Sequence, residues 1–234
     1  MKRIILILAL IYTTILSNAT VYTVNVKTPG SLVLPKELKI DKLLSNGLPN
    51  PAYIMDDSLI LTGDIDIRDF STLGLTTNNL IYIDMSNVNI HAFIYSYFVN
   101  TGHTKTIYTN DNEFPKYAFC KVFPEYATAY ELSFLPGLSL TGGLILPKNI
   151  TKIEDHALFC TYLPSIVIPS SVTYIAPNAI VLNDIDSAFS YTKNPFVVNY
   201  GFADDYNSIL KRTTPLLYVP YGTKRIDKLV WRKS

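Results

Sequence analysis

The chain is poor in the residues that carry most enzyme chemistry. Its 234 residues include two cysteines, three histidines and one tryptophan, and charged residues make up only 17%. His91, His103 and His156 form no i, i+4 pair, and no HExxH occurs, so the metalloprotease pattern is excluded. G-x-S-x-G, P-loop and G-x-G-x-x-G patterns are also missing, so neither a hydrolase elbow nor a nucleotide cradle is written here. Cys120 and Cys160 sit in no CxxC pair, which removes the usual zinc site. Twenty Lys+Arg against 19 Asp+Glu leaves a net charge of +1. Without a basic excess to displace counterions from phosphate, nucleic acid is not an expected partner. Beyond the first segment, no apolar run reaches the roughly 20 residues that a membrane-spanning helix needs.

What the chain does have is apolar. Hydrophobic residues make up 48%, enough to bury a core. The 17 tyrosines offer broad apolar contact with a polar tip, suited either to strands or to recognition. The N-terminus places Lys2 and Arg3 before an apolar stretch from Ile4 to Leu16, and Ser17-Asn18-Ala19 fits a small-residue cleavage site before Thr20. This predicts a signal peptide over 1–19 and a chain that is exported: cell-surface, extracellular or periplasmic.

The organising feature is a sentence written twice. LILPKNITKIEDHALFC (Leu144 to Cys160) is followed by IVIPSSVTYIAPNAIVL (Ile166 to Leu182). Pro147 aligns with Pro169, Ile150 with Val172, Ile153 with Ile175 and Ala157 with Ala179, each 22 residues on (169 − 147). A fixed period of this length is the mark of a stacked array. The first part of each unit alternates and suits a short strand that proline then ends. Ile150, Ile153 and Ala157 return at spacings of three and four, which turn one stripe inward. One such coil cannot bury its own apolar face, whereas stacked coils can. Phe114 and Ala118 share the Ile153 and Ala157 spacing at an offset of 39 (153 − 114), and the extra length falls in an insertion over 121–143. LIYIDMSNVNI (Leu80 to Ile90) approximates the leucine-rich repeat pattern.

The expected fold is therefore an α/β repeat solenoid. It is a leucine-rich-repeat-like right-handed coil with short parallel strands on one face, turns or short irregular helices on the other, and caps at both ends. The expected organisation is a signal peptide over 1–19, an N-terminal cap region over 20–78, the array over 79–212, and a capping strand with a short helix over 213–234. Within the first cap, VYTVNV reads as a strand, LPKELKIDKLLSNG as a helix ending at Gly47, and SLILTGDIDIRDF as a strand followed by a turn. His91 to Asn110 reads as an aromatic and polar loop. At the C-terminus, Leu216 to Val219 reads as a strand, Lys224 to Leu229 as a short helix, and Trp231 as a lid.

These residues resemble the BspA-like leucine-rich repeat family of bacterial exported proteins. The likeness is carried by SLTGGLILPKNITKIEDHALFC, IVIPSSVTYIAPNAI and the terminal LYVPYGTK, with VYTVNVKTPGSL and LTGDIDIRDF resembling the family's opening segment. The chain departs from it in having two clean repeats, and in Leu158-Phe159 and Ile180 where the family has Ala-Phe. The resemblance implies a surface-exposed scaffold that binds host or matrix proteins or glycans, without catalysis or cofactor. It also implies that Cys160, and approximately Cys120, point into the coil as free thiols. They would bond only if the insertion between them is a loop rather than a whole extra coil.

Candidate binding positions are the strand residues Ile145 and Val167, the neighbouring Thr173 and Tyr174, and the aromatic stretch Phe93, Tyr95, Tyr97 and Phe98. No catalytic residue, cofactor or metal is expected. Asp155 beside His156 would be half of a triad, but the inward claims of Ile153 and Ala157 place the pair on the outer side of the coil. Asp56, Asp57, Asp64, Asp66 and Asp69 form an acidic cluster that reads as a solvated strand face and turn, with a Ca²⁺ site as the competing possibility. The basic end Lys224, Arg225, Lys228, Arg232 and Lys233 complements a helix dipole. Asp57-Ser58-Leu59 and Asp186-Ser187-Ala188 fit a short O-glycosylation pattern. An assembly subunit of an exported surface complex is the alternative function and a hydrolase the third. The oligomeric state is open.

Overall fold

The computed structural model describes residues 20–35, 38, 57–76, 80–98, 104–119, 138, 140–158, 161–176, 179–180, 185, 187–192 and 216–218. The expected signal peptide, the helix after Leu34, both cysteines, most of the 121–143 insertion and the helix and tryptophan after Tyr218 fall outside these residues.

The described chain is built mostly from parallel strands. β1 (Val21–Val26), β2 (Asp57–Ile65), β3 (Leu80–Ile90), β7 (Gly143–Ile145), β9 (Ser165–Ile168), β11 (Ser187–Ser190) and β12 (Leu216–Tyr218) form one seven-stranded sheet in that spatial order, every pair parallel. The two-residue strands β6 (Glu113–Phe114), β8 (Lys152–Ile153) and β10 (Tyr174–Ile175) form a second parallel sheet. From β6 to β11 the described strands alternate between the two sheets. The large sheet runs without a break from β2 to β3, across the boundary expected at 78/79.

The offsets read from the sequence are the offsets of pairing. Ile175 lies beside Ile153, Val167 beside Ile145, and Phe114 beside Ile153. Backbone bonds repeat them in the turns: Thr151 N–H donates to Asn112 O at 2.8 Å and Thr173 N–H to Thr151 O at 2.8 Å. β11 continues the spacing, Ala188 beside Ile166 and Phe189 beside Val167, although SAFS shares neither the isoleucines nor the proline of the earlier units.

Both sheets turn their alternate residues into one core. Leu59, Leu61 and Ile65 from β2, Leu80, Ile83, Met85, Val88 and Ile90 from β3, Leu144, Ile166, Ile168 and Ala188 meet Phe114, Ile153 and Ile175 from the other side. The five buried residues of β3 are those of the L-x-x-I-x-M-x-x-V-x-I reading. Ile150, Val172, Ala157 and Ala179 are buried with them, as the inward stripe requires.

Two elements differ from expectation. The segment after β2 is a helix, α1 (Ile67–Thr76), not a turn. Asp66 caps it, accepting from Arg68 N–H at 2.9 Å, while Asp69 Oδ2 reaches back to Asp66 N–H at 2.9 Å. This reciprocal pair is a capping box written as D-I-R-D, with an aspartate in the glutamate's place. The stretch His91 to Asn110 is not a loop. It holds an antiparallel hairpin, β4 (Phe93–Phe98) and β5 (Thr104–Thr109), in which Phe93 pairs with Thr109 and Tyr95 with Ile107. Its alternation drives it: Phe93 and Tyr95 pack on Ile67, Ile107 and Tyr117, and the opposite face meets water.

Candidate functional site

A parallel sheet with one face on the core presents the other as an ordered surface, and the register states its content. Thr23, Ile60, Asp84, Ile145, Val167, Phe189 and Tyr218 stand on consecutive strands as direct neighbours, one line across all seven. With strands about 4.8 Å apart the line is roughly 29 Å long. All seven lie on the outward side, half-buried or exposed. Its second half, Ile145, Val167, Phe189 and Tyr218, is wholly apolar or aromatic. The rings of Phe189 and Tyr218 stack at 4.6 Å and 8° between planes. In the row beside it Tyr82 pairs with Ser58 and Gly143. Burial, and then the nearby charge of Asp84, push the Tyr82 phenol above its ordinary value, so it remains a hydrogen-bond donor.

The predicted binding residues divide among three places. Ile145 and Val167 are adjacent on this outer face. Tyr174 belongs to the small sheet, on the other side of the core, in a row with Lys152 and Glu113; the Lys152 ammonium lies 5.1 Å from the Tyr174 ring centroid. Glu154, hydrogen-bonded to Lys152, raises the lysine's pKa. Thr173 is exposed just before it, its hydroxyl donating to Thr151 O at 3.2 Å. Phe93 and Tyr95 are turned toward the core side of the hairpin, and the Arg68 guanidinium covers the Phe93 ring at 4.0 Å. Tyr97 and Phe98 lie further along the same strand, opposite Lys105 and Thr104. Sequence reasoning missed Phe189 and Tyr218, which only the pairing register brings beside Val167. It also missed the cross-strand pair Ile94 and Tyr108, 63% and 71% exposed, which the alternation of β4 would have shown had the stretch been read as a strand.

Three members of the acidic cluster are not on a solvated face, and Asp56 lies outside the described residues. Asp57, Asp66 and Asp69 are buried. Asp69 accepts from the N–H groups of Gly30 at 2.6 Å and Leu32 at 2.8 Å besides that of Asp66, and Asp66 is held by Arg68. These oxygens are consumed by backbone donors that α1 and the 28–32 loop would otherwise leave unpaired. Gly30 is required there: its φ is +80°, and a Cβ would run into the Arg68 guanidinium. Asp64 stands apart on the rim, 2.9 Å from His91 Nε2 and 3.1 Å from Asn89 Nδ2, and these bonds hold its carboxyl below the ordinary value. Among the described residues no group of His, Cys, Asp and Glu converges to hold a metal ion.

Asp155 and His156 are half-buried in the turn after β8 rather than fully outward. Asp155 Oδ1 lies 3.0 Å from His156 Nδ1 and its Oδ2 lies 3.2 Å from Lys116 Nζ. Burial opposes the Asp155 charge, but His156 and Lys116 outweigh it and the pKa is lowered. His156 lies against Tyr117, ring centroids 5.4 Å apart. Both residues have positive φ, 53° and 58°, and they occupy equivalent positions in successive turns. The cluster ties one turn to the next.

No helix among the described residues is long and apolar enough to cross a membrane. No protein-family model matches the chain, and no curated protein is detectably similar to it.

Proposed function

We propose that the chain is an exported, non-enzymatic recognition module, a BspA-like leucine-rich-repeat coil that holds a host or matrix protein or a glycan at the cell surface. The outer face of the seven-stranded sheet is its binding surface. The reading rests on one observation: the outward line from Thr23 to Tyr218, apolar and aromatic over its second half, where a face serving only solubility would be charged. The 22-residue pairing of Ile145 with Val167 and of Ile153 with Ile175 supports the coil, because each added unit extends the surface by one strand. Aromatic anchors beside a polar rim of Tyr82 and Asp84 suit a protein or a glycan.

The test is capture of purified extracellular-matrix proteins and immobilised glycans by the exported protein. Val167→Asp should reduce capture at least about tenfold while circular dichroism shows the fold retained, because the side chain faces outward. Lys152→Ala, on the opposite side of the core, should leave capture unchanged. Equal capture by wild type and Val167→Asp would reject the face. The alternative of an assembly subunit is favoured by a different feature, the edge of β1 that no described strand pairs.

A further inference from the structure

We propose that β1 is the contact edge of a two-fold dimer of this chain, the two copies of Val21–Val26 pairing antiparallel about Thr23. The inference stands independently of what the sheet face binds.

The geometry starts from the ladder inside one molecule. Val21 lies beside Ser58, and Ser58 N–H donates to Thr20 O at 2.9 Å. In a parallel pair this fixes the alternation: Thr20, Tyr22, Val24 and Val26 spend their backbone groups on β2, and Val21, Thr23 and Asn25 aim theirs away from it. Among the described residues β1 is the last strand of the sheet on that side. Among the described residues no backbone bond reaches Val21, Thr23 or Asn25 from beyond the edge.

Native sheets usually blunt such an edge with lysine, proline, a bulge or a very short strand. VYTVNV has six residues in unbroken register, no charge and no proline. It is therefore an unprotected template for another strand, and its pattern says which one. An antiparallel hydrogen-bonded pairing centred on Thr23 sets Thr23 against Thr23, Val21 against Asn25 and Tyr22 against Val24. Every outward N–H and C=O then meets its complement, and the central pair is Thr–Thr, a favourable cross-strand match. Tyr22 and Val24 pack on the core but are only half-buried at this open end, so the mate's Val24 and Tyr22 would complete their cover. The nearest charged side chain, Lys27, lies four residues from the axis and so more than about 25 Å from its symmetry mate. A two-fold contact closes on itself, so it ends at a dimer.

Sedimentation velocity across a concentration series tests this with the purified protein. A reversible monomer–dimer equilibrium is expected. Thr23→Pro removes a donor that the intramolecular ladder does not use, at an edge position where proline is tolerated. Thr23→Lys sets like charges face to face at the axis. Each should raise the dimer dissociation constant at least about tenfold, since every change counts twice across a two-fold axis. In unmodified protein, the amides of Val21, Thr23 and Asn25 should gain protection from hydrogen exchange as concentration rises, while that of Tyr22 stays constant. A strictly monomeric protein, self-association unchanged in Thr23→Lys, or concentration-independent exchange at Thr23 would each overturn the proposal.

Discussion

The region from β1 to the β4–β5 hairpin and the region from β6 to β11 share one core but are held differently. In the later region, successive turns bond through the backbone: Asn112 to Thr151 to Thr173, Phe114 to Glu154, Ile153 to Ala176. Side chains there stack like on like, Ile153 beside Ile175. The earlier region contains a helix, a bulged pairing between β2 and β3, and a hairpin against the parallel grain. β1, β2 and β3 are laddered too, but among the described residues α1 and the 28–32 loop belong to no strand ladder. They are joined by single side chains: Asp69 ties the 28–32 loop to α1, and Arg68 bridges Asp66 to Phe93. Regular stacking spreads the work over many equivalent bonds. Irregular chain concentrates it in a few residues with no substitute.

The largest effect should come at the seam. Phe114 pairs with Ile153 on one side and meets Phe70 and Phe119 edge-on at 5.0 and 5.8 Å on the other. Phe114→Ala should cost about 3–5 kcal/mol and Ile153→Ala about 2–5 kcal/mol in urea denaturation, as fully buried side chains do. Next comes the knot: Asp69→Ala strands the N–H groups of Gly30, Leu32 and Asp66 and should cost about 3 kcal/mol. Removing one ladder hydroxyl should be nearly silent. In Thr173→Val the backbone N–H still satisfies Thr151 O, so the loss should be at most about 0.5 kcal/mol. If Thr173→Val matches Asp69→Ala, the contrast between the regions is wrong. The smallest effect is one that fades in acid. The Asp155 carboxyl is lowered in the fold, so its contribution is full above its ordinary 3.8 and is lost as pH falls below it. Asp155→Asn should lower stability modestly at neutral pH, where the charge contributes in full, and match the wild type in strong acid, so that the acid limb of the stability profile flattens.

The same contrast explains what could be read from the sequence. Ile153, Ile175, Ile145, Val167 and Phe114 were legible because parallel neighbours recur in the sequence at the spacing that pairs them. The buried residues of β3 followed from one repeat pattern. β11 was not legible, since its inward residues Ala188 and Ser190 are small and leave no apolar rhythm. The helix was missed because ten residues containing Gly74 and Thr76 give a weak periodicity, and its real signal was the aspartate pair in D-I-R-D. The hairpin was missed because its strands are antiparallel within a chain read for a parallel repeat. In the candidate face, Ile145 and Val167 were found by alternation, whereas Phe189 and Tyr218 join them only through pairing across the sheet, a distance that no local pattern encodes.

The backbone bonds between turns run along the same direction as the outward line of side chains. A pull on the two ends of the sheet, along that line, puts the strand interfaces in series, so each carries the same load and the weakest parts first. Extension at constant speed should therefore give a train of small force peaks, one per released strand. A sheet of this design yields gradually under load and re-forms strand by strand when the load is removed.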